Sequence, residues 1–222
     1  FGLGRDYNAE IKNFANWLQY YRTREFSAKA AIGTVINATE SARMGLRLIN
    51  EGHVKDLLPM NVPINKTDLL LAYYKDGASG HTPLRDNLRK VGDMFKNPGA
   101  ILPESEGGAC QQNFNILMTD GFWNGVTPAG IGDDDSDDDS PFDGDGTKDQ
   151  SIDKGNYADG VPDTLADVAM YYYENDLNTS LDNIVPTKVG VDLASHQHLV
   201  NYTIGFGLQG TLPPEVEPTH PD

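Results

Sequence analysis

The segment that most constrains the fold is residues 113–124, NFNILMTDGFWN, in which an apolar run ends at an aspartate. Four of the five residues from 114 to 118 are apolar, which is typical of a strand buried on both faces of a sheet. Asp120 follows this run, so it is predicted to lie where the carboxyl end of the strand emerges. Ligands of open α/β sheets bind at that edge. On residue type alone, however, Asp120-Gly121 is explained more simply as a turn.

The charge of the chain limits the classes of partner. Its 222 residues carry a net charge of −16, which disfavours nucleic acids and anionic membranes and favours cations. No apolar stretch approaches the roughly 20 residues that span a bilayer. The chain begins at Phe1 rather than Met, which favours a mature product or an excised fragment. Cys110, the single cysteine, is either a buried free thiol or the partner of a cysteine outside this chain.

The spacing of apolar residues predicts several helices. They are residues 9–38, capped by Asn8 and formed as one helix or as two that break near Thr23; residues 66–75; the segment after Pro83, capped by Thr82; and residues 162–177, capped by Asp163 or Thr164.

Short apolar or alternating runs predict strands at 42–49, 113–119 and 199–206. Residues 50–64 contain Gly and Pro and are predicted to be a loop, as are residues 97–112 and 178–195. The resulting order of helices and strands predicts an α/β fold with a mainly parallel sheet covered by helices on both faces.

Segments spread over nearly the whole chain resemble the von Willebrand factor A-like domain of the PilC/PilY family of type IV pilus tip proteins. They are NFANWLQYYRTR (13–24), AKAA (28–31), RMGLRLIN (43–50), TPLRDNLRKVG (82–92), CQQNFNILMTDGFWNG (110–125), TLADVAMYYYENDL (164–177), LDNIVPT (181–187) and HQHLVNYTIGFGLQGTL (196–212). The resemblance implies a Rossmann-type domain over residues 1–212, with an acidic insertion at 126–161 and a Pro-rich tail at 213–222.

Two parts of the family pattern are absent from this sequence. The A-type domain of the family starts with a strand that ends in Asp-x-Ser-x-Ser, and residues 1–12 contain nothing similar. The C-terminal β-propeller of the family is missing too. The resemblance therefore implies an interior fragment of a longer protein. In addition, His196 stands where the family has a tryptophan.

The resemblance also implies a divalent-cation site. A-type domains hold the cation with the serine motif, a threonine from a second loop and an aspartate from a third, and Thr82 and Asp120 match the second and third loops. Mg²⁺ or Mn²⁺ suits such hard oxygen ligands and keeps waters that a partner's carboxylate can replace. The alternative is that Thr82 is a helix cap and Asp120 a turn residue.

An acidic run offers a second candidate metal site. Ten aspartates lie between Asp133 and Asp153, and the simplest interpretation is a solvated, self-repelling loop. The alternative is a Ca²⁺ loop, because aspartates alternate with other residues around Gly144 and Gly146. Its predicted ligands are Asp143, Asp145, Asp149 and Asp153. The loop departs from the helix–loop–helix calcium motif, since Lys154 stands where a bidentate Glu belongs.

His196-x-His198 could ligate a transition metal, but no Cys, Asp or Glu pair is near in sequence, so a structural role is predicted. The sequence also lacks the GxSxG, Walker and Rossmann fingerprints.

Three functions follow from these observations. The first is a non-enzymatic adhesion and pilus-biogenesis module at the cell surface, outer membrane and pilus tip. The resemblance implies minor pilins, a host or abiotic surface and the rest of a longer chain as its partners. The second is a calcium-stabilised structural spacer of the tip complex. The third is a metal-assisted phosphohydrolase, which would need a nucleophile or base near Asp120.

Overall fold

A computed structural model describes residues 4, 6–75, 77, 79–125, 128, 130–135, 160–188 and 192–207. The chain divides into two compact units, residues 1–80 and 81–222. The fold is mixed α/β, with one antiparallel and one parallel pair of strands among the described residues. No helix in those ranges combines the length and the apolar character that a membrane crossing requires.

The first unit begins with two helices, α1 (Tyr7–Tyr20) and α2 (Arg24–Ala38). Of the two predicted alternatives, one long helix or two helices that break near Thr23, the second is observed, and the Thr23 hydroxyl accepts a backbone hydrogen bond in the first turn of α2 (3.1 Å). The predicted cap of the first helix was wrong. Asp6, not Asn8, precedes α1, and its carboxylate accepts a first-turn backbone hydrogen bond (2.8 Å).

An antiparallel hairpin follows, made of β1 (Arg43–Leu48) and β2 (Gly52–Pro59). Strand β1 was predicted, but the prediction of a loop at residues 50–64 was wrong. The glycine that suggested a loop has φ of +92° and makes the turn into β2. Pro59 is the last residue of β2, a position where its missing N–H is tolerated.

The core of the first unit lies between this hairpin and two helices. Helix α3 (Pro63–Lys75) packs on both strands and on α2. Ile36, Met60 and Leu69 are buried at this junction, each at most 3% exposed.

The second unit begins with α4 (Leu84–Phe95), whose apolar residues recur as predicted and bury Leu84, Leu88 and Phe95. The predicted cap was wrong by one residue. Pro83 occupies the N-cap position, and the backbone carbonyl of Thr82 accepts the N–H of Leu84 (2.9 Å).

Two short 3₁₀ turns at residues 104–106 and 108–110 follow α4. Cys110 is the last residue of the second turn and is an exposed free thiol rather than a buried one. Helix α5 (Leu165–Glu174) packs on α4, and Thr164 caps it, as one of the two predicted alternatives.

Strands β3 (Asn113–Thr119) and β4 (Leu199–Gly205) pair in parallel, in the register Asn113 to Leu199 through Thr119 to Gly205. The parallel pairing agrees with the sequence prediction. The prediction that β3 is buried on both faces was wrong, because Leu117 is buried whereas Phe114 and Ile116 are 51% and 61% exposed.

Candidate functional site

The loop that leaves β3 is hydrogen-bonded to the segment that enters α4. The backbone N–H of Thr82 donates to the side-chain oxygen of Asn124 (2.8 Å), and the backbone N–H of Asn124 donates to the carbonyl of Thr82 (2.9 Å). Gly125 follows with φ of +103°, and a Cβ on it would lie 3.2 Å from Cβ of Pro83. These contacts fix the Asp120 loop, residues 120–125, against the amino end of α4.

Asp120 is exposed and follows the last residue of β3. The turn is closed by Thr119, whose hydroxyl donates to the carbonyl of Gly121 (3.0 Å) and accepts its N–H (3.2 Å). Phe122 and Trp123 are the next side chains, 81% and 52% exposed. The Asp120 loop thus presents a carboxylate and two aromatic rings to solvent, while Thr82 lies half-buried beside it.

Arg85, in the first turn of α4, is buried beneath this loop. Its guanidinium carbon lies over the Trp123 ring, 3.7 Å from the ring centroid, which is a cation–π contact. Its Nη1 also donates to the backbone carbonyl of Asp163 (2.9 Å). Neither Arg85 nor Trp123 was singled out from the sequence, because their pairing depends on the end of β3 meeting α4.

Asp163 joins the two ends of the acidic segment that contains the aspartates from Asp133 to Asp153. It has φ of +59°, a left-handed conformation that few residues other than Gly, Asn and Asp adopt. Its carboxylate accepts the N–H groups of Ile131 (3.2 Å) and Gly132 (3.1 Å), and its own N–H donates to the carbonyl of Gly132 (2.7 Å). Residues 130–135 and 160–167 therefore form a closed stem, the insertion stem.

Three carboxylates converge within the insertion stem. Asp133, Asp135 and Asp167 each offer an oxygen within 4.8 Å of the others, and the last two are fully buried. One oxygen of Asp167 accepts the N–H of Asp135 (3.1 Å) and the other accepts the N–H of Thr164 (2.6 Å). Burying carboxylates so close together is unfavourable unless hydrogen bonds or a cation compensate their charge.

This cluster is not the one predicted from the sequence. The predicted Ca²⁺ ligands Asp143, Asp145, Asp149 and Asp153 lie outside the described residues. Asp133 and Asp135 belong to the same acidic run, but Asp167 was missed. The sequence did carry a signal for it, since Thr164-x-x-Asp167 is a capping-box pattern, and both hydrogen bonds of that box are present.

The two histidines before β4 have structural contacts. Nε2 of His196 lies 2.8 Å from the backbone carbonyl oxygen of Tyr173. In His198, Nδ1 lies 2.7 Å from the carbonyl oxygen of His196, and Nε2 lies 3.1 Å from the carboxylate of Asp192. Both ring nitrogens of His198 thus face oxygen acceptors, in agreement with the predicted structural role.

Burial affects the titration of His196 and of Tyr173. It lowers the pKa of His196, an effect that the adjacent His198 reinforces and the hydrogen bond to Tyr173 opposes. Burial, together with the carboxylate of Asp192, raises the pKa of Tyr173 to about 12. The neutral forms of His196 and Tyr173 are therefore the ones that the fold favours.

Three curated proteins are similar to this chain, all named type IV pilus biogenesis factor PilY1 and all from Pseudomonas aeruginosa. The protein of strain UCBPP-PA14 is 30% identical over 96% of the chain, that of strain PAO1 is 28% identical over 90%, and that of strain PAK is 27% identical over 92%. The chain spans about a fifth of the length of each relative, 20% in every case.

No family model matches the chain, and no solved structure matches it significantly. The three similarities confirm the resemblance to type IV pilus proteins of the PilY type that the sequence motifs indicated, and this similarity extends over nearly the whole chain.

Proposed function

We propose that this chain is a non-enzymatic binding module of a type IV pilus biogenesis factor and acts at the pilus tip on the cell surface. The similarity to PilY1 over at least 90% of the chain supports this role. The proposed partners are minor pilins, a host or abiotic surface, and the remainder of a longer chain that supplies the first strand and a β-propeller. The acidic composition agrees with an extracellular module that does not bind nucleic acid.

The proposed architecture is von Willebrand factor A-like. Its support is the parallel pair β3–β4, the helices α4 and α5 that follow the family order, and the position of Asp120 directly after β3. In this architecture the binding edge lies at the carboxyl ends of the parallel strands, where the Asp120 loop begins.

The observation that carries the binding function is the pair of reciprocal hydrogen bonds between Thr82 and Asn124. They hold the threonine loop against the loop that contains Asp120. A hydroxyl and a carboxylate are the hard oxygen donors that Mg²⁺ or Mn²⁺ accepts in near-octahedral geometry. Two protein oxygens alone hold such a cation weakly, so the remaining protein ligands are expected from the serine motif outside this sequence.

The experiment is calorimetric titration of the full-length protein with Mg²⁺ and Mn²⁺, in the native form and with Asp120→Ala. We expect Asp120→Ala to weaken binding at least about tenfold, since the metal loses its charged ligand. The matched control is Asp182→Ala, because Asp182 is an exposed aspartate whose backbone carbonyl, which the substitution retains, accepts hydrogen bonds from Ile184 and Gln197.

Equal affinities for Asp120→Ala and the native protein would overturn the cation site. Surface attachment of cells that carry Asp120→Ala, with pilus number counted in parallel, then separates adhesion from pilus assembly. Metal-dependent turnover of phosphate esters that is lost in Asp120→Ala would instead favour the phosphohydrolase.

A second candidate function, a calcium-stabilised spacer, is favoured by the Asp133, Asp135 and Asp167 cluster. Ca²⁺ accepts six to eight oxygen ligands in flexible geometry, so three carboxylates are a suitable partial set. In this case Ca²⁺ would raise the melting temperature of the native protein, Asp135→Asn would remove that increase, and surface attachment would persist. A melting temperature that is independent of Ca²⁺ would rule out the spacer.

A further inference from the structure

The first turn of α4 contacts two segments that are distant from it in sequence. Arg85 stacks on Trp123 of the Asp120 loop and donates a hydrogen bond to Asp163 of the insertion stem. We propose that Arg85 is a positioning residue that couples the Asp120 loop to the insertion stem, so that the two segments are ordered or disordered together. This inference concerns regulation of the binding edge and therefore rests on the function proposed above.

The stacked contact ties the orientation of Arg85 to the position of Trp123. A guanidinium group is planar, and it stacks on an aromatic ring through one face while its N–H groups donate within its own plane. The guanidinium carbon lies 3.7 Å from the centroid of the Trp123 ring, and Arg85 itself is buried, which strengthens a cation–π contact. The same plane carries the Nη1 that donates to Asp163, so a shift of the carbonyl acceptor moves the stacked group.

The position of Asp163 in turn depends on both sides of the insertion stem. Its carboxylate holds the N–H groups of Ile131 and Gly132, and its N–H holds the carbonyl of Gly132. Opening of the insertion stem therefore moves the carbonyl of Asp163 away from Nη1 of Arg85 and breaks this hydrogen bond. A partner or cation that orders the stem would hold Trp123, and with it the exposed Phe122, in place.

The test uses the full chain with Trp17→Phe, which leaves Trp123 as the single tryptophan. Asp163→Gly removes the carboxylate, tolerates the left-handed backbone and retains the carbonyl that Arg85 contacts. We expect Asp163→Gly to change the fluorescence and near-ultraviolet dichroism of Trp123. We also expect Asp163→Gly to speed hydrogen exchange of the backbone amides of Gly121 and Asn124 at least about fivefold. These amides are protected from exchange by their hydrogen bonds, and they exchange when the Asp120 loop opens locally.

The coupling is assigned to Arg85 by repeating the change in two backgrounds. In Arg85→Met, Asp163→Gly is expected to have no further effect on Trp123. In Arg89→Met, the matched control one turn along α4 whose partners are Asp86 and Asp93, the effect of Asp163→Gly is expected to remain. An effect that persists in Arg85→Met, or no response of Trp123 to Asp163→Gly in the native background, would overturn the proposal.

Unchanged amide exchange at Leu117 in strand β3 shows that each variant is folded. If Arg85→Met does not fold, Arg85→Lys replaces it, since lysine keeps the charge and loses the planar stack, and we expect the effect of Asp163→Gly on Trp123 to fall at least about twofold. An undiminished effect in Arg85→Lys would then count against the coupling. These measurements use no metal. Coupling without Mn²⁺ binding would therefore overturn the proposed cation site alone, and Mn²⁺ binding without coupling would overturn this inference alone.

Discussion

The two sheets found among the described residues differ in how their apolar faces are covered. The antiparallel pair β1–β2 is a hairpin of neighbouring segments, and α3 packs on both of its strands. The parallel pair β3–β4 joins segments far apart in sequence, as the hydrogen bond between Asn115 and Asn201 shows (3.0 Å). Its buried face contains Leu117 and Leu199 and lies in the unit that also holds α4 and α5.

The other face of the parallel pair is apolar and exposed. Parallel sheets usually have both faces covered, yet four large apolar residues on this face are between 43% and 61% exposed: Phe114, Ile116, Tyr202 and Ile204. The comparison teaches that a local hairpin can be stabilised by the helix that follows it. The parallel pair, which carries the candidate binding edge, depends on long-range packing on one face.

The largest loss of stability is expected from a substitution between helices α4 and α5 of the second unit. Tyr172 is 1% exposed, and its hydroxyl donates to Asp93 (2.6 Å). A Cβ on Gly92 would lie 2.4 Å from its ring, so glycine is needed for this close packing. We expect Tyr172→Ala to reduce the free energy of unfolding by about 3–5 kcal/mol in denaturant titrations. Its neighbour Tyr171, which is half-buried, is the control, and an equal loss for Tyr171→Ala would contradict the packing argument.

A substitution in the core beside the hairpin of the first unit is expected to reduce the free energy of unfolding nearly as much. Met60, which is 1% exposed, packs in the cluster with Ile36 and Leu69. Met60→Ala should reduce the free energy of unfolding by about 2–5 kcal/mol, because it leaves a cavity between the hairpin and its helices. Leu71→Ala removes a side chain that is 63% exposed on α3 and should have little effect. Similar losses in the two variants would show that the cluster is not the core of this unit.

The pH dependence of stability should differ between the histidines associated with the two sheets. The pKa of His196 in the folded protein lies below its usual value of 6.5, chiefly because of burial. Its contribution to stability is therefore present above about pH 6.5 and is lost as the pH falls through the folded pKa, because the unfolded chain binds the proton more tightly.

His196→Gln should flatten the dependence of the melting temperature on pH between about 7.5 and 5. His53→Gln, which changes a partly exposed histidine on β2, is the control. If the melting temperature of His196→Gln depends on pH as that of the native protein does, His196 is not the source of this pH dependence.

The smallest expected effect tests the exposed face of the parallel pair. Ile116 is 61% exposed, so Ile116→Thr in this chain should change the free energy of unfolding by no more than about 0.5 kcal/mol. Leu117→Ala, on the buried face of the same strand, should cost about 2–5 kcal/mol. A loss above about 2 kcal/mol for Ile116→Thr would show that this face is covered, and the contrast between the two sheets would fail.

Local patterns predicted the helices and the two parallel strands but not the second strand of the hairpin. Helix α4 was recognised because Leu84, Leu88 and Phe95 recur at helical spacing and are buried together. Strand β2 was missed because Gly52 and Pro59, which suggest a loop, are its first and last residues. The exposed face of β3 was mispredicted because an apolar run alone does not indicate how many faces are covered.

The candidate site could be predicted only in part. The family resemblance pointed to Thr82 and Asp120, and the hydrogen bonds of Asn124 show that their loops are in contact. The contact of Arg85 with Asp163 could not be predicted, because the two residues are 78 positions apart and the contact needs a left-handed aspartate. Such contacts follow from tertiary structure rather than from local sequence.

The hydrogen bonds at Asp163 have a consequence for sequence variation among relatives. They join residues 131 and 132 to residue 163, so they hold the two ends of the intervening segment next to each other. Because the entropy of closing a loop grows slowly with its length, insertions and deletions within this segment should be nearly neutral for folding. The length of this segment can therefore vary among relatives while the hydrogen bonds of Asp163 keep its two ends together.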